Sequence, residues 1–220
     1  MNTILVPVKN LASAKQRLAE VLTAEQRRSL AEAMLRDVLE ALAQLDQPES
    51  VSIVTGDALV ADFASEHRFG VIADHENVGE TAAIALATDV TASGGSDGVL
   101  VIPADVPLIT AAEVKAILDA APESGTVLVP AADGRGTNAI LRRPPSLFPA
   151  RFGNDSFLPH LENARRSGRQ VVILELPGVA LDVDRPDDLA ALLATGGSTQ
   201  TQNLLRAWQA VETAHSAPCR

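Results

Sequence analysis

Val99-Leu100-Val101-Ile102-Pro103-Ala104-Asp105-Val106-Pro107 is the stretch whose reading decides the fold. Four apolar residues, three of them β-branched, run without polar alternation, the pattern of a strand buried on both faces of a parallel sheet. Pro103 cannot donate to a ladder and ends the strand. Asp105 therefore projects beyond the carboxyl end of a central strand, the edge at which open α/β sheets take ligands. Pro107 stiffens the turn, and Thr110-Ala111-Ala112-Glu113 is a capping box that opens the next helix. A carboxylate fixed there suits a metal ion. A simple turn or cap residue is the plainer reading, and this stretch weighs the two equally.

The same logic extends in both directions. Ile4 to Val8, Val51 to Thr55, Phe69 to Ile72, Thr126 to Pro130, Ala139 to Arg142 and Gln170 to Leu176 read as further strands. Between them lie helical patterns. Thr23 and Gln26 form a capping box, followed by Leu30, Met34, Val38, Leu42 and Leu45 at helical spacing. Shorter helices are expected around Leu59 to His67, from Thr81 to Val90, and around Val114, Ile117 and Leu118. Strands alternating with helices give one layered α/β domain over residues 1–195. The polar loop Asp133 to Asn138 predicts a hairpin, hence some antiparallel pairing. Ser156 is placed to cap a helix that Gly168 ends. Thr195 to Gln202 reads as a linker, so 196–220 forms a linker and a short amphipathic tail with Leu204, Leu205, Trp208 and Val211. Trp208 either docks on the body or joins a second subunit as a homodimer contact.

The chain of 220 residues carries a net charge of −10, with 46% apolar and only 3% aromatic residues. That balance argues against nucleic acid and against an anionic membrane as partners. A single cysteine, Cys219, excludes a disulfide framework, which fits a cytoplasmic protein. No apolar run is long enough for a membrane span.

Three features are expected at strand ends. Lys9, Lys15 and Arg17 follow the first strand, Asp105 the central one, and Asp182-Val183-Asp184 the last. In an extended segment Asp182 and Asp184 project to one side. Cations for phosphates beside three carboxylates for Mg²⁺ describe a nucleotidyl-transfer site. A helix N-cap explains Asp184, Asp187 and Asp188 but leaves Asp182 without a role. No serine–histidine or cysteine–histidine pair is apparent, and His67, His75, His160 and His215 read as surface or packing residues. A phosphate nucleophile needs no general base, being mostly dianionic at neutral pH.

These residues resemble the CofC/FbiD guanylyltransferases. The resemblance rests on Leu5-Val6-Pro7-Val8-Lys9-Asn10-Leu11 with Ala14-Lys15-Gln16-Arg17-Leu18, then on Pro103 to Pro107 and Gly136-Thr137-Asn138-Ala139. Arg151-Phe152-Gly153 with Ser156-Phe157 and Asp182-Val183-Asp184 with Pro186 complete it, all in the family's order over about residues 3–195. It implies a single-domain, three-layer nucleotide-diphospho-sugar-transferase-like fold with a mostly parallel sheet, related to the molybdenum-cofactor (MobA-like) nucleotidyltransferases. It implies Mg²⁺-dependent transfer of GMP from GTP to a phosphorylated small acid in coenzyme F(420) biosynthesis, with the product passed to the next enzyme. The acid is phosphoenolpyruvate, 3-phosphoglycerate or 2-phospholactate. Carried over by motif, Asp105, Asp182 and Asp184 hold the metal, Lys9, Lys15 and Arg17 meet phosphates, and Thr137, Gly153 and Ser156 bind the acid. One departure is Gly79-Glu80-Thr81, where many members have a Gly-Leu-Asn-like stretch; backbone groups near Val6 to Val8 are then left to read guanine. Asp155, beside Asn154, is placed to accept from a substrate hydroxyl, which favours 3-phosphoglycerate, although a helix N-terminus explains it as well.

Other readings remain. Asp182-Val183-Asp184 also resembles the metal motif of glycosyltransferases of similar fold, but the Lys9–Arg17 stretch suits a triphosphate better than a donor diphosphate. Another nucleotidyltransferase of this fold is a nearer rival. A nucleotide-binding regulator without turnover needs fewer carboxylates beside an anionic ligand.

Overall fold

A computed structural model describes residues 1–76, 78–153 and 155–216. Asn154 and Cys219, and the side chains of Val211 and His215, lie outside the described residues. Seven strands form one sheet: β1 Asn2–Pro7, β2 Val51–Thr55, β3 Gly70–Ala73, β4 Gly98–Val101, β5 Gly125–Pro130, β6 Thr137–Arg143 and β7 Gln170–Ile173. The order is β3-β2-β1-β4-β6-β5-β7. β6 runs antiparallel to both its neighbours, and every other pairing is parallel. The expected β5–β6 hairpin is present, and β6 also pairs with the central β4.

Side chains alternate across this sheet into two cores. Ile4, Val6, Leu100 and Ile102 face one side, where α1 (Ala24–Ala43), α2 (Ala58–Glu66) and α4 (Ala111–Asp119) contribute buried residues. Leu5, Val99 and Val101 face the other, against α3 (Glu80–Ser93) and α5 (Phe157–Arg166). Helix, sheet and helix make the expected three layers. The capping boxes at Thr23 and Thr110 form as the sequence predicts.

Two segments depart from the sequence reading. β7 is shorter than expected and lies at the sheet edge. The chain then crosses back through a short helix α6, Pro177–Ala180, to an extended segment beside the central strand. Val183 N–H donates to the Asp105 carbonyl at 3.0 Å and pins this segment there. Gly178 makes the crossing feasible, because a Cβ at that position would run into the Leu108 carbonyl oxygen.

The second departure is the tail. The expected linker through Gln202 is instead the start of a helix, α8 (Gln200–Ser216), which packs on α1 and on α7 (Pro186–Ala194). Thr199 and Gln202 cap its first turn reciprocally. Asp37 of α1, itself buried, accepts from the Gln200 and Thr201 backbone N–H groups at 2.7 and 2.9 Å and from the Thr201 hydroxyl at 2.6 Å. Leu205 is buried and Trp208 packs on the same core. Residues 200–210 therefore belong to the body, and Trp208 docks on it. Among the described residues no helix is long and apolar enough to cross a membrane.

Candidate active site

Two cavities open side by side along the edge formed by the carboxyl ends of β1 and β4, with volumes of about 400 and 460 Å³. The first is lined by Val8, Lys9, Asn10 and Lys15 on one side and by Asp74 and Ala83 on the other. The second is lined by Thr137, Asn138, Gly153, Ser156 and Asp182. Arg17, Glu80, Pro103, Asp105 and Asp184 border both. All the site residues expected from sequence thus line one continuous cleft, although Asp182 and Asp184 arrive by the crossing segment rather than from a strand end.

At the shared wall the charges are arranged around Lys15. Its ammonium donates to Asp105 Oδ2 at 2.6 Å and to Asp184 Oδ1 at 2.8 Å. Its side chain is only 9% exposed. Burial pulls its pKa down, but the two carboxylates more than offset that and leave it above the usual lysine value. Arg17 donates to the other Asp184 oxygen at 2.9 Å. Burial raises the Asp184 carboxyl, but Lys15, Arg17 and Arg185 together outweigh it, so the group stays below the ordinary range. Two of the three cations expected to meet phosphates therefore hold site carboxylates.

Asp182 differs from Asp184. Burial pushes its pKa up, and the charges of Asp105 and Asp184 add to the rise. Asn138 opposes this by donating to Asp182 Oδ1 at 3.0 Å, while the same amide also reaches the carbonyls of Val179 and Ala180. The cap of α7 comes from Asp188, which accepts from the backbone N–H groups of Asp184 and Arg185. Asp184 is thereby left to face the cleft.

Glu80 is the residue whose role was not legible in sequence. Burial first, and then the Asp105 charge, lift its pKa to about 7. Its neighbour Thr81 does not face either cavity. The Thr81 hydroxyl accepts from Phe152 N–H at 3.1 Å and reaches the Phe152 carbonyl at 3.4 Å, holding the loop that carries Gly153. The N–H of Val8 is bonded to the Val54 carbonyl and Pro7 has none, so the backbone offers a base no free donor at Pro7 or Val8.

On the acid side, Gly153 has φ +132°, a region that favours glycine, and no atom lies within 4 Å of a Cβ built there. Ser156 occupies the N-cap position of α5 but makes no side-chain cap. Its hydroxyl accepts from Thr137 N–H at 3.1 Å, and the Phe157 N–H is taken by the Arg135 carbonyl. The expected anion site at that helix start is thus partly filled by the protein itself. Asp155 is exposed at the cavity, and Arg135 donates to both its oxygens, so a substrate hydroxyl would share them with the guanidinium. His160 is fully buried. Its two ring nitrogens are bonded to Thr137 Oγ1 and Arg151 N, contacts that no local sequence pattern reveals.

Among the described residues no three acidic, histidine or cysteine groups gather about one metal-sized point, because Lys15 stands between Asp105 and Asp184. The donor chemistry nonetheless fits a hard divalent cation, with three carboxylates on one wall.

The family profile described as guanylyl transferase, CofC-like, matches residues 2–220, so the resemblance runs beyond residue 195 and takes in the tail helix. A phosphoenolpyruvate guanylyltransferase from Sphaerobacter thermophilus is 39% identical over 194 residues, covering 87% of this chain and 93% of its own. A 2-phospho-L-lactate guanylyltransferase from Methanothermobacter thermautotrophicus is 33% identical over 202 residues, covering 92% and 88%. In fold, the chain superposes with a TM-score of 0.78 on a Desulfovibrio desulfuricans G20 protein assigned to the nucleotide-diphospho-sugar transferases, at 24% identity and 99% coverage of both. It also matches a CMP:2-keto-3-deoxy-manno-octonic acid synthetase complexed with CTP, with a TM-score of 0.57 at 14% identity, covering 96% and 99%. With its motifs in order, its cleft assembled and its whole length matched, the chain belongs to the CofC-like guanylyl transferases.

Proposed function

We propose that this protein transfers GMP from GTP to the phosphate of a phosphorylated three-carbon acid and releases pyrophosphate. The observation that carries the reading is the pair of cavities sharing one charged wall. A nucleotide in the first and an acid in the second would meet at Asp105, Asp184, Lys15 and Arg17. An oxygen of the acid's phosphate attacks the α-phosphorus of GTP, a new P–O–P link forms, and the α–β bond breaks to give pyrophosphate. The phosphate nucleophile is already ionised at neutral pH, so the residues position and neutralise rather than remove a proton.

Asp105, Asp182 and Asp184 would hold Mg²⁺, which when bound supplies charge for the triphosphate oxygens. Lys15 and Arg17 then turn from carboxylates to phosphates, with Lys9 at the nucleotide side. Thr137, Gly153 and Ser156 border the acid. Phosphoenolpyruvate is the acid we favour: several of the most similar relatives carry that name, and an Asp155 already paired with Arg135 is a weaker reader of the extra hydroxyl of 3-phosphoglycerate. The product, a guanosine diphosphate-linked acid, would enter coenzyme F(420) assembly. A pyrophosphate-release assay of GTP with Mg²⁺ against phosphoenolpyruvate, 2-phospholactate and 3-phosphoglycerate tests this. Release with phosphoenolpyruvate is expected; no release with any acid from folded protein refutes it.

A further inference from the structure

We infer that His160 is a positioning residue that fixes the direction of the Thr137 hydroxyl, making it a donor into the acid-side cavity, so that the part of the acid bound there must be a hydrogen-bond acceptor such as a carboxylate. The inference deepens the proposed function and rests on it for the identity of the ligand. The direction of the hydroxyl itself follows from the protein alone.

His160 is fully buried in the first turns of α5. Its Nε2 lies 2.9 Å from the backbone nitrogen of Arg151. A backbone N–H can only donate, so Nε2 must be bare. A neutral imidazole carries one N–H, which therefore sits on Nδ1. Nδ1 is 2.9 Å from Thr137 Oγ1, and the bond runs from the ring to the hydroxyl. Burial, and after it the charge of Arg142, hold the ring neutral by taking its pKa down to about 4. The edge of Phe152 packs on the imidazole with centroids 5.3 Å apart.

Thr137 Oγ1 thus accepts a hydrogen bond from the ring behind it, which turns its own O–H away from the imidazole. Among the described residues no other partner is bonded to it, and Thr137 lines the cavity. Its own hydrogen is left for a ligand. Ser156 repeats the polarity: its Oγ accepts from Thr137 N–H at 3.1 Å and its hydrogen has no protein acceptor among the described residues. Two hydroxyls on one wall are therefore set to donate. A carboxylate satisfies both; a primary amide in its place would present hydrogens as well as an oxygen.

Two measurements on the full chain decide this. The first needs no variant: long-range proton–nitrogen NMR of the ligand-free protein reads the His160 tautomer. Protonated Nδ1 with bare Nε2 is expected, and the opposite tautomer overturns the inference. The second is a cycle of His160→Gln, Thr137→Val and the double variant. Glutamine retains an acceptor for Arg151 N–H but loses the ring N–H. Loss of a hydrogen bond to a charged group predicts that Thr137→Val lowers kcat/KM for the acid by about 10- to 100-fold through KM. His160→Gln should cost about 10-fold in the wild-type background, less than about 2-fold in the Thr137→Val background, and leave the KM for GTP unchanged. Thr137→Ser should keep most of the activity. Equal effects of His160→Gln in both backgrounds show a merely structural role and overturn the inference. If the wild type turns over no acid, the proposed function fails, while the tautomer measurement still decides the hydroxyl's direction.

Discussion

Replacing Lys15 by methionine removes the ammonium and keeps the apolar stem. That ammonium lies 2.6 and 2.8 Å from Asp105 and Asp184. Removing one partner of a buried ion pair costs about 3–5 kcal/mol. The two carboxylate side chains are 28% and 36% exposed, so water screens part of the residual repulsion, and about 2–3 kcal/mol is a better expectation. For a chain of this size each kcal/mol moves Tm by about 2–4 °C, which puts the loss at roughly 4–12 °C. A divalent cation would restore it: saturation to about 100 times its Kd contributes about 2.7 kcal/mol. Thermal unfolding of wild type and Lys15→Met, each across a Mg²⁺ series without nucleotide, reads both effects. The variant should start lower and climb more steeply, because in the wild type the cation competes with the ammonium. An unchanged Tm in the absence of metal would show that Lys15 does not neutralise the pair. Parallel Mg²⁺ responses of the two proteins would refute the shared site.

Further outcomes can be checked beside it. Asp105→Asn and Asp182→Asn should each lower turnover in the pyrophosphate assay by about 10²–10³ with unchanged folding by circular dichroism; near-normal turnover of Asp182→Asn returns that residue to a structural role. GTP should be preferred over ATP in kcat/KM, and equal values refute base selectivity. His160 binds its proton less readily when folded, at about 4 against an ordinary value of 6.5. Unfolding therefore takes up a proton between those pH values, and stability conferred by this group is lost as pH falls from 6.5 to 4. The difference in unfolding free energy between wild type and His160→Gln should shrink over that range; a flat difference contradicts a neutral buried ring. Glu80 has the opposite sign, its carboxyl raised to about 7, so Glu80→Gln should gain stability relative to wild type as pH rises from 4.5 through 7.

Much of this architecture was legible because its signals are local. Short apolar runs marked the strands, and the Thr23 and Thr110 boxes marked two helix starts. What the sequence left open depends on distant partners. Lys15 meets carboxylates 90 and 169 residues away, and nothing in Ala14-Lys15-Gln16 distinguishes a phosphate-facing lysine from one paired within the protein. The segment Leu181 to Asp184 was read as following a strand end, whereas its place is set by distant partners, among them the Asp105 carbonyl, Asn138 and Lys15. His160 was read as a packing residue because its partners lie on two other segments. The tail is a different case. Thr199-Gln200-Thr201-Gln202 has the capping-box spacing, yet the glycines and polar residues before it read as a linker.

The grip of Asp37 on α8 bears on the order in which the molecule can be assembled. The bonds link groups 163 and 164 residues apart, so on the ribosome α1 is complete long before its partner exists. Until the last helix emerges, the α1 surface that it covers faces water, and Asp37 lacks the donors that hold it in the finished fold. Contacts of such separation form late and slowly. The final segment then acts as a clasp closed after the sheet is built, and a stop codon near residue 195 would yield a chain whose motifs are all present but whose longest helix is left uncovered. Such a chain is expected to depend on chaperones and to aggregate through the first long helix made, distant along the sequence from the deletion that uncovers it.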